Sequence, residues 1–243
     1  MRTIQILSAA TILWAAPAGA ATTRVPDAGL EARVTQRLRD ANFDSIYVKV
    51  SNGTVALTGA VDRLSKAERA RKIADRTGGV EAVDNRIEVV SERTDEQIAR
   101  DLTHEIRVFP FYDIFDQVEG EVGEGVVTLR GAVRLPQRFH DYANLAKQVG
   151  GVKTVVNQLE VLPTSSYDDQ IRLRVARAIY GSSALGTRYG NQARPPIHIL
   201  VKNGNVRLEG VVLNQLDKQL VERAARFAAT YFALENNLKV ERS

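Results

Sequence analysis

Apolar side chains alternate with polar or small ones in three separated stretches of the chain. Val55, Leu57, Gly59 and Val61 share one parity; Val127, Leu129, Gly131 and Val133 repeat it, as do Val206, Leu208, Gly210 and Val212. The intervening positions are Ala56, Thr58 and Ala60, then Thr128, Arg130 and Ala132, then Arg207, Glu209 and Val211. A period of two with one apolar side predicts a strand buried on one face. A shorter alternating run precedes it, with Val48 and Val50 matching Ile199 and Val201. Asn52-Gly53 and Asn203-Gly204 join the two runs and suit the positive φ angles of a type I′ hairpin turn. "GEGVV", from Gly123, is a looser version of the same turn.

Helical spacing flanks each hairpin. Upstream, Leu30, Val34 and Leu38 recur as Ile98, Leu102 and Ile106, and again as Ile171, Val175 and Ile179. Steps of four lay three apolar side chains along one helix face. Asp95-Glu96 and Asp168-Asp169 sit where carboxylates favour a helix N-terminus. Downstream, a second helix shows a small-residue face: Ala67, Ala70, Ile73 and Ala74; Leu145, Ala146 and Val149; Val221, Ala224, Ala225 and Ala228. A final strand follows at 86–90, 158–162 and 237–240.

The three stretches are copies of one unit. Gly59, Gly131 and Gly210 lie 72 and 79 residues apart, and so do Asn85, Asn157 and Asn236. Two independent landmarks keep the same offsets. The expected fold class is α/β (α+β): three tandem αββαβ domains, each a small three-stranded mixed sheet with two helices on one face. Boundaries fall at 21–92, 93–164 and 165–243, after a leader of 1–20. The last helix and its flanking strands make a right-handed βαβ crossover. The opposite sheet face is left to solvent or to a neighbouring repeat. Gly59, Gly131 and Gly210 lie on the inward parity, so they are read as structural glycines against which a helix backbone packs closely.

The "VxNGxVxLxGxV" hairpin, the "GGVxxVxNxLxV" ending and the αββαβ order resemble the BON domain family of bacterial envelope proteins. The resemblance covers nearly all of the chain after the leader, in three copies. It implies a periplasmic, non-enzymatic module associated with phospholipid binding, envelope maintenance and osmotic stress; some members are linked to chaperone-like or small-ion-binding roles. The third copy departs from the pattern. Ala229-Thr230-Tyr231 replaces Gly-Gly-Val, so a positive-φ turn is not expected there and the second helix has room to run on.

Composition narrows the setting. Arg2, an apolar run from Ile4 to Ala16, Pro17 and then Ala18-Gly19-Ala20 form a secretory signal pattern cleaved after Ala20. The run is shorter than the roughly 20 residues of a spanning helix. There is no cysteine, which excludes disulfides, thiolate chemistry and cysteine-ligated zinc. Lys and Arg number 33 against 29 Asp and Glu. That mild balance in an exported chain suits an anionic envelope surface better than nucleic acid. No cofactor is expected. His104, His140 and His198 do not repeat and lack metal-ligand spacing, and His198 has outward strand parity. No nucleophile elbow, phosphate loop or paired-carboxylate motif is present.

Candidate binding residues lie in the loops and on one helix. First-helix landmarks shift by 68 and 73 residues against 72 and 79 at the glycines, so the loop before the hairpin grows by four residues and then by six. The second loop, "VFPFYDIF", gathers Phe109, Phe111, Tyr112 and Phe115; it serves a membrane interface, a partner or its own core. The third loop, Gly181 to Pro196, carries Arg188 and Arg194, suited to phosphate or to solvent. Lys66, Arg69, Lys72 and Arg76 form a basic stripe opposite Ala67, Ala70 and Ala74, suited to anionic lipid or simply to water. Three readings stay open: a peripheral binder of anionic phospholipid, a protein-interaction or chaperone-like module engaging other envelope proteins, and a rigid spacer.

Overall fold

A computed structural model describes residues 26–241. The proposed leader and its cleavage point lie outside the described residues. The first repeat runs α1 (Asp27–Asp40), β1 (Ile46–Ser51), β2 (Thr54–Val61), α2 (Leu64–Asp75) and β3 (Ala82–Val89). The second runs α3 (Asp95–Val108), β4 (Gln117–Gly123), β5 (Val126–Val133), α4 (Pro136–Gln148), β6 (Thr154–Asn157) and β7 (Glu160–Val161). The third runs α5 (Ser166–Tyr180), a single turn α6 (Ser183–Leu185), β8 (Ile197–Lys202), β9 (Asn205–Val212), α7 (Gln215–Arg226), β10 (Ala233–Asn236) and β11 (Lys239–Val240). The chain is thus three αββαβ units, each with a mixed sheet: β1, β4 and β8 pair antiparallel with the central strand, and the last strand pairs parallel to it.

Each core is built from the predicted faces. Leu30, Val34 and Leu38 of α1 meet Val55 and Leu57 of β2 and Ala67, Ala70 and Ala74 of α2. Alanines let α2 sit close to the sheet, and burying the larger side chains contributes about 1.5–3 kcal/mol each. In repeats 2 and 3 the third strand is interrupted. At the break, the Asn157 amide donates to Phe139 O (2.7 Å) and accepts the Leu159 N–H (3.2 Å). Asn236 likewise donates to Lys218 O and accepts from Leu238 N–H. In these two repeats the asparagine therefore ties the last strand to the second helix, while Asn85 only accepts the Ile87 N–H.

The hairpin turns have φ of 52° and 74° at Asn52-Gly53, 55° and 79° at Glu124-Gly125, and 49° and 73° at Asn203-Gly204. A carboxylate from the start of the preceding helix clamps each turn. Asp27 accepts the Asn52 and Gly53 N–H groups, Asp95 those of Glu124 and Gly125, and Asp168 those of Asn203 and Gly204, at 2.6–3.1 Å.

Three expectations need correction. Gly59, Gly131 and Gly210 are not crowded by a helix. Their φ angles are +123°, +119° and +112°, and a Cβ there would lie well under 3.0 Å from the carbonyl oxygen of Ser45, Gln117 or Pro196. The crowding group is main chain at the start of the hairpin's own first strand. Second, α7 does not run on past the Ala229-Thr230-Tyr231 substitution. It stops at Arg226, because the chain must return for Phe232 N–H to reach Gly204 O (2.9 Å), as Glu81 and Lys153 do at Gly53 and Gly125. Third, His198 has the predicted outward parity but is only 5% exposed, because repeat 2 covers it.

The repeats dock in two ways. Repeats 1 and 2 meet through α2 and α4, with Lys147 bonded to Glu68 at 2.7 Å and Asp62 O accepting the Gly151 N–H. Repeats 2 and 3 meet through their sheets, where Ala132, Leu162 and Leu200 form a small shared core. Glu160 pairs with Lys202, Glu119 with Lys239 at 3.7 Å, and Ile114 O accepts the Ile199 N–H at 2.8 Å.

Candidate functional site

The aromatic loop after α3 works mainly as a seal between repeats 2 and 3. Phe109 packs into the core of repeat 2 with its ring 5.2 Å from Tyr142, whereas Ile114 and Phe115 pack on the core of repeat 3. Tyr112 Oη lies 2.9 Å from His198 Nε2, and Arg194 stacks over the Tyr112 ring at 5.4 Å while donating to Phe109 O at 3.0 Å. Tyr112 and Arg194 are thus committed to the inter-repeat contact. Of Phe109, Phe111 and Tyr112, only Phe111 stands out, 60% exposed, under the Arg138 guanidinium at 4.7 Å. Arg188 is engaged elsewhere. It pairs with the buried Asp217, which also accepts the Tyr189 hydroxyl at 2.6 Å and so anchors the third loop to α7.

Two buried titratable groups sit in the seal. Asp116 accepts the Arg134 N–H at 2.7 Å through one oxygen, and its other oxygen has no protein partner. Burial, with the Asp113 charge adding to it, pushes the Asp116 carboxyl up to about 6 against the Arg134 bond. Burial holds the His198 imidazole down to about 4, against the backbone of Asp116 and the charge of Asp113. The signs oppose. Below its ordinary value of 6.5, His198 would be protonated in the unfolded chain and not in the folded one, so its contribution is lost as pH falls through about 4. Asp116 binds its proton more tightly when folded, so its contribution is lost as pH rises through about 6. The two largely cancel between pH 6.5 and 4.5. We expect Asp116→Asn to lose about 2 kcal/mol over that interval relative to wild type, and His198→Gln to gain about as much. Urea unfolding at both pH values checks this; parallel slopes for the two variants would refute it.

The basic stripe of α2 is solvent-facing along its length. Lys66 bonds Asp62 at 2.7 Å, which holds that carboxyl below the usual range, and Arg69 lies over the Phe43 ring at 5.7 Å. Lys72 and Arg76 complete the stripe, with the main chain of Arg76 accepting from Arg37.

A surface that the hydrophobic pattern did not single out is more conspicuous. Phe227 and Phe232 bracket the α7–β10 loop, each 82% exposed, and Tyr167 stands beside them at 47%. Phe232 and Tyr167 together cover Gly204, and the Tyr167 hydroxyl donates to Thr230 O at 3.0 Å. Arg223 and Arg226 share the end of α7 with Phe227. Aligning the repeats would have exposed this: positions 76, 148 and 227 read Arg, Gln, Phe, and positions 81, 153 and 232 read Glu, Lys, Phe. Only the third copy puts aromatic rings where the others put polar groups.

Among the described residues, no group of three His, Asp or Glu side chains could hold a metal ion, and no helix is long and apolar enough to cross a membrane. The described chain is a repeat protein of three αββαβ modules. The chain belongs to the BON domain family, which matches it at residues 26–91, 94–163 and 167–242. Osmotically-inducible protein Y of Escherichia coli (strain K12) is 33% identical over 144 residues, 55% of this chain and 72% of that protein. A protein of Anaplasma centrale described as an uncharacterized protein in the gshII 5'region is 27% identical over 145 residues, 56% of this chain and 95% of its own. Among solved structures, CdsD of the type III secretion system of Chlamydia trachomatis is similar at 16% identity and a TM-score of 0.24, covering 88% of this chain and 92% of its own. The PrgH periplasmic domain is similar at 9% identity and a TM-score of 0.21, covering 84% and 100%.

Proposed function

We propose that this chain is a periplasmic envelope protein that rests reversibly on anionic phospholipid and supports the envelope under osmotic stress. The leader pattern, membership of the BON family and similarity to a protein named for osmotic induction support the setting. One observation carries the lipid reading: two phenylalanines, each 82% exposed, flank a single loop beside Arg223 and Arg226. Exposed rings rimmed by arginine are costly in water and favourable at a headgroup boundary. Each ring would contribute about 1–2 kcal/mol on partial burial, and each basic residue about 1 kcal/mol near an anionic surface. The α2 stripe of Lys66, Arg69, Lys72 and Arg76 supplies a second, purely electrostatic contact. Arg188 and Arg194, already engaged within the protein, are secondary to both.

The test is co-sedimentation of the mature chain with phosphatidylglycerol or phosphatidylcholine vesicles across a salt series. Binding to the anionic vesicles alone is expected, weakening as salt rises. Phe227→Ser with Phe232→Ser is expected to lower vesicle affinity by about tenfold or more. Failure to bind anionic vesicles at low salt removes the reading. The alternative, a protein-interaction or chaperone-like module, draws on exposed Phe111 and predicts suppression of client aggregation without lipid.

A further inference from the structure

Repeats 2 and 3 show how two of these sheets fit together. The third strand of repeat 2 lies over the first strand of repeat 3, through Leu162 with Leu200 and Glu160 with Lys202. The first strand of repeat 2 reaches the third strand of repeat 3, through Glu119 with Lys239. First meets third in both directions, as an approximate two-fold axis through the central strands would produce.

Repeat 1 has the same sheet with nothing over it among the described residues. Strand register fixes the equivalences: Ala60 pairs with Glu88 as Ala132 pairs with Glu160 and Val211 with Lys239. Val90 stands where Leu162 stands, and Tyr47 where His198 stands. Leu162 and His198 are 3% and 5% exposed, whereas Val90 and Tyr47 are 58% and 70% exposed. One edge of this face is covered in repeats 2 and 3, by the Leu162–Leu200 contact and by Tyr112 over His198, while Glu119 and Lys239 meet at an exposed edge; in repeat 1 both edges are bare.

The bare face is complementary to itself. In repeat 1 numbering, Glu160 with Lys202 places position 88 against position 51, and Glu119 with Lys239 places it against position 47. A symmetric pair lies midway, with position 88 against position 49 and position 90 against position 47. Those residues are Glu88 against Lys49 and Val90 against Tyr47. Each pairing occurs twice about a two-fold axis, an ion pair beside an aromatic–aliphatic contact.

We infer that the sheet of repeat 1 is a dimerisation surface, and that its partner is the same sheet of a second copy of this chain. This holds independently of lipid binding. The experiment is sedimentation velocity on the mature chain, from Ala21 onward, over a concentration series without lipid. A concentration-dependent dimer is expected. Lys49→Glu and Glu88→Lys should each raise the dissociation constant by at least about tenfold, because like charges then face each other. Mixing the two single variants should restore a dimer, since position 49 of each chain then faces a position 88 of opposite charge across the axis. Both sites are exposed, and circular dichroism confirms that each variant folds. A chain that stays monomeric at every concentration overturns the inference. So does a dimer indifferent to both single reversals, or a mixture that fails to pair.

Discussion

Gly210→Ala is expected to unfold repeat 3, lowering its stability by about 4 kcal/mol. Two effects combine. At φ of +112° an L side chain is strained whatever the space around it. The added methyl also points at the carbonyl oxygen of Pro196, the tightest approach among the three repeated glycines. That carbonyl accepts the Val211 N–H at 3.2 Å, so it cannot swing away without breaking a bond, and Gly210 is registered directly against Ile197. Relief would have to come from shifting β8 against β9, which carry Ile197, Ile199, Val206 and Leu208 into the core. Repeat 2 should feel the loss through the Ile114–Ile199 bond, and repeat 1 should feel it least. Gly78→Ala is the control: open space surrounds it and its φ is outside the left-handed range, so it should be nearly neutral. Urea unfolding decides; a Gly210→Ala chain within about 1 kcal/mol of wild type would contradict this account of the repeated glycine.

The glycine also marks the limit of what the chain discloses by itself. Alternation of Val206, Leu208, Gly210 and Val212 gives the strand and its buried side, because parity is a local property. It does not give the neighbour: Pro196 lies fourteen positions upstream of Gly210, and only the folded hairpin brings its carbonyl there. His198 fails in the same way. Its outward parity is readable, yet what covers it is another repeat. The repeated asparagines are plain as landmarks, whereas the bonds of Asn157 and Asn236 to the second helix emerge only once the third strand is placed. Tyr112 and Arg194, read separately as loop residues, prove to be one contact. The acidic residues opening α3 and α5 are legible as helix starts, but their second task, gripping a turn 29 to 36 residues later, is a tertiary fact. Phe227 and Phe232 follow no period, and only subtraction of one repeat from another singles them out.

Asp168→Ala is the second large effect, expected to cost about 3 kcal/mol. Both carboxylate oxygens of Asp168 accept main-chain N–H groups, from Asn203 at 2.9 Å and Gly204 at 2.8 Å. The carboxylate is fully buried, and so is Gly204. Truncation therefore strands the buried Gly204 donor, and frees the more accessible Asn203 donor, in a turn already holding φ of 49° and 73°. Asp27 and Asp95 make the same pair of bonds at half-buried sites, where water can replace them, so Asp27→Ala and Asp95→Ala should cost about 1–2 kcal/mol. Urea unfolding ranks the three, and amide exchange at Asn203 and Gly204 localises the loss; equal small losses at all three would refute the ranking. The third clamp also has a functional consequence that the other two lack. Gly204 is the floor on which Tyr167 and Phe232 rest. Loosening it should blur the aromatic tip, so Asp168→Ala should weaken binding to phosphatidylglycerol vesicles at temperatures where the chain is still folded, while Asp27→Ala leaves it unchanged.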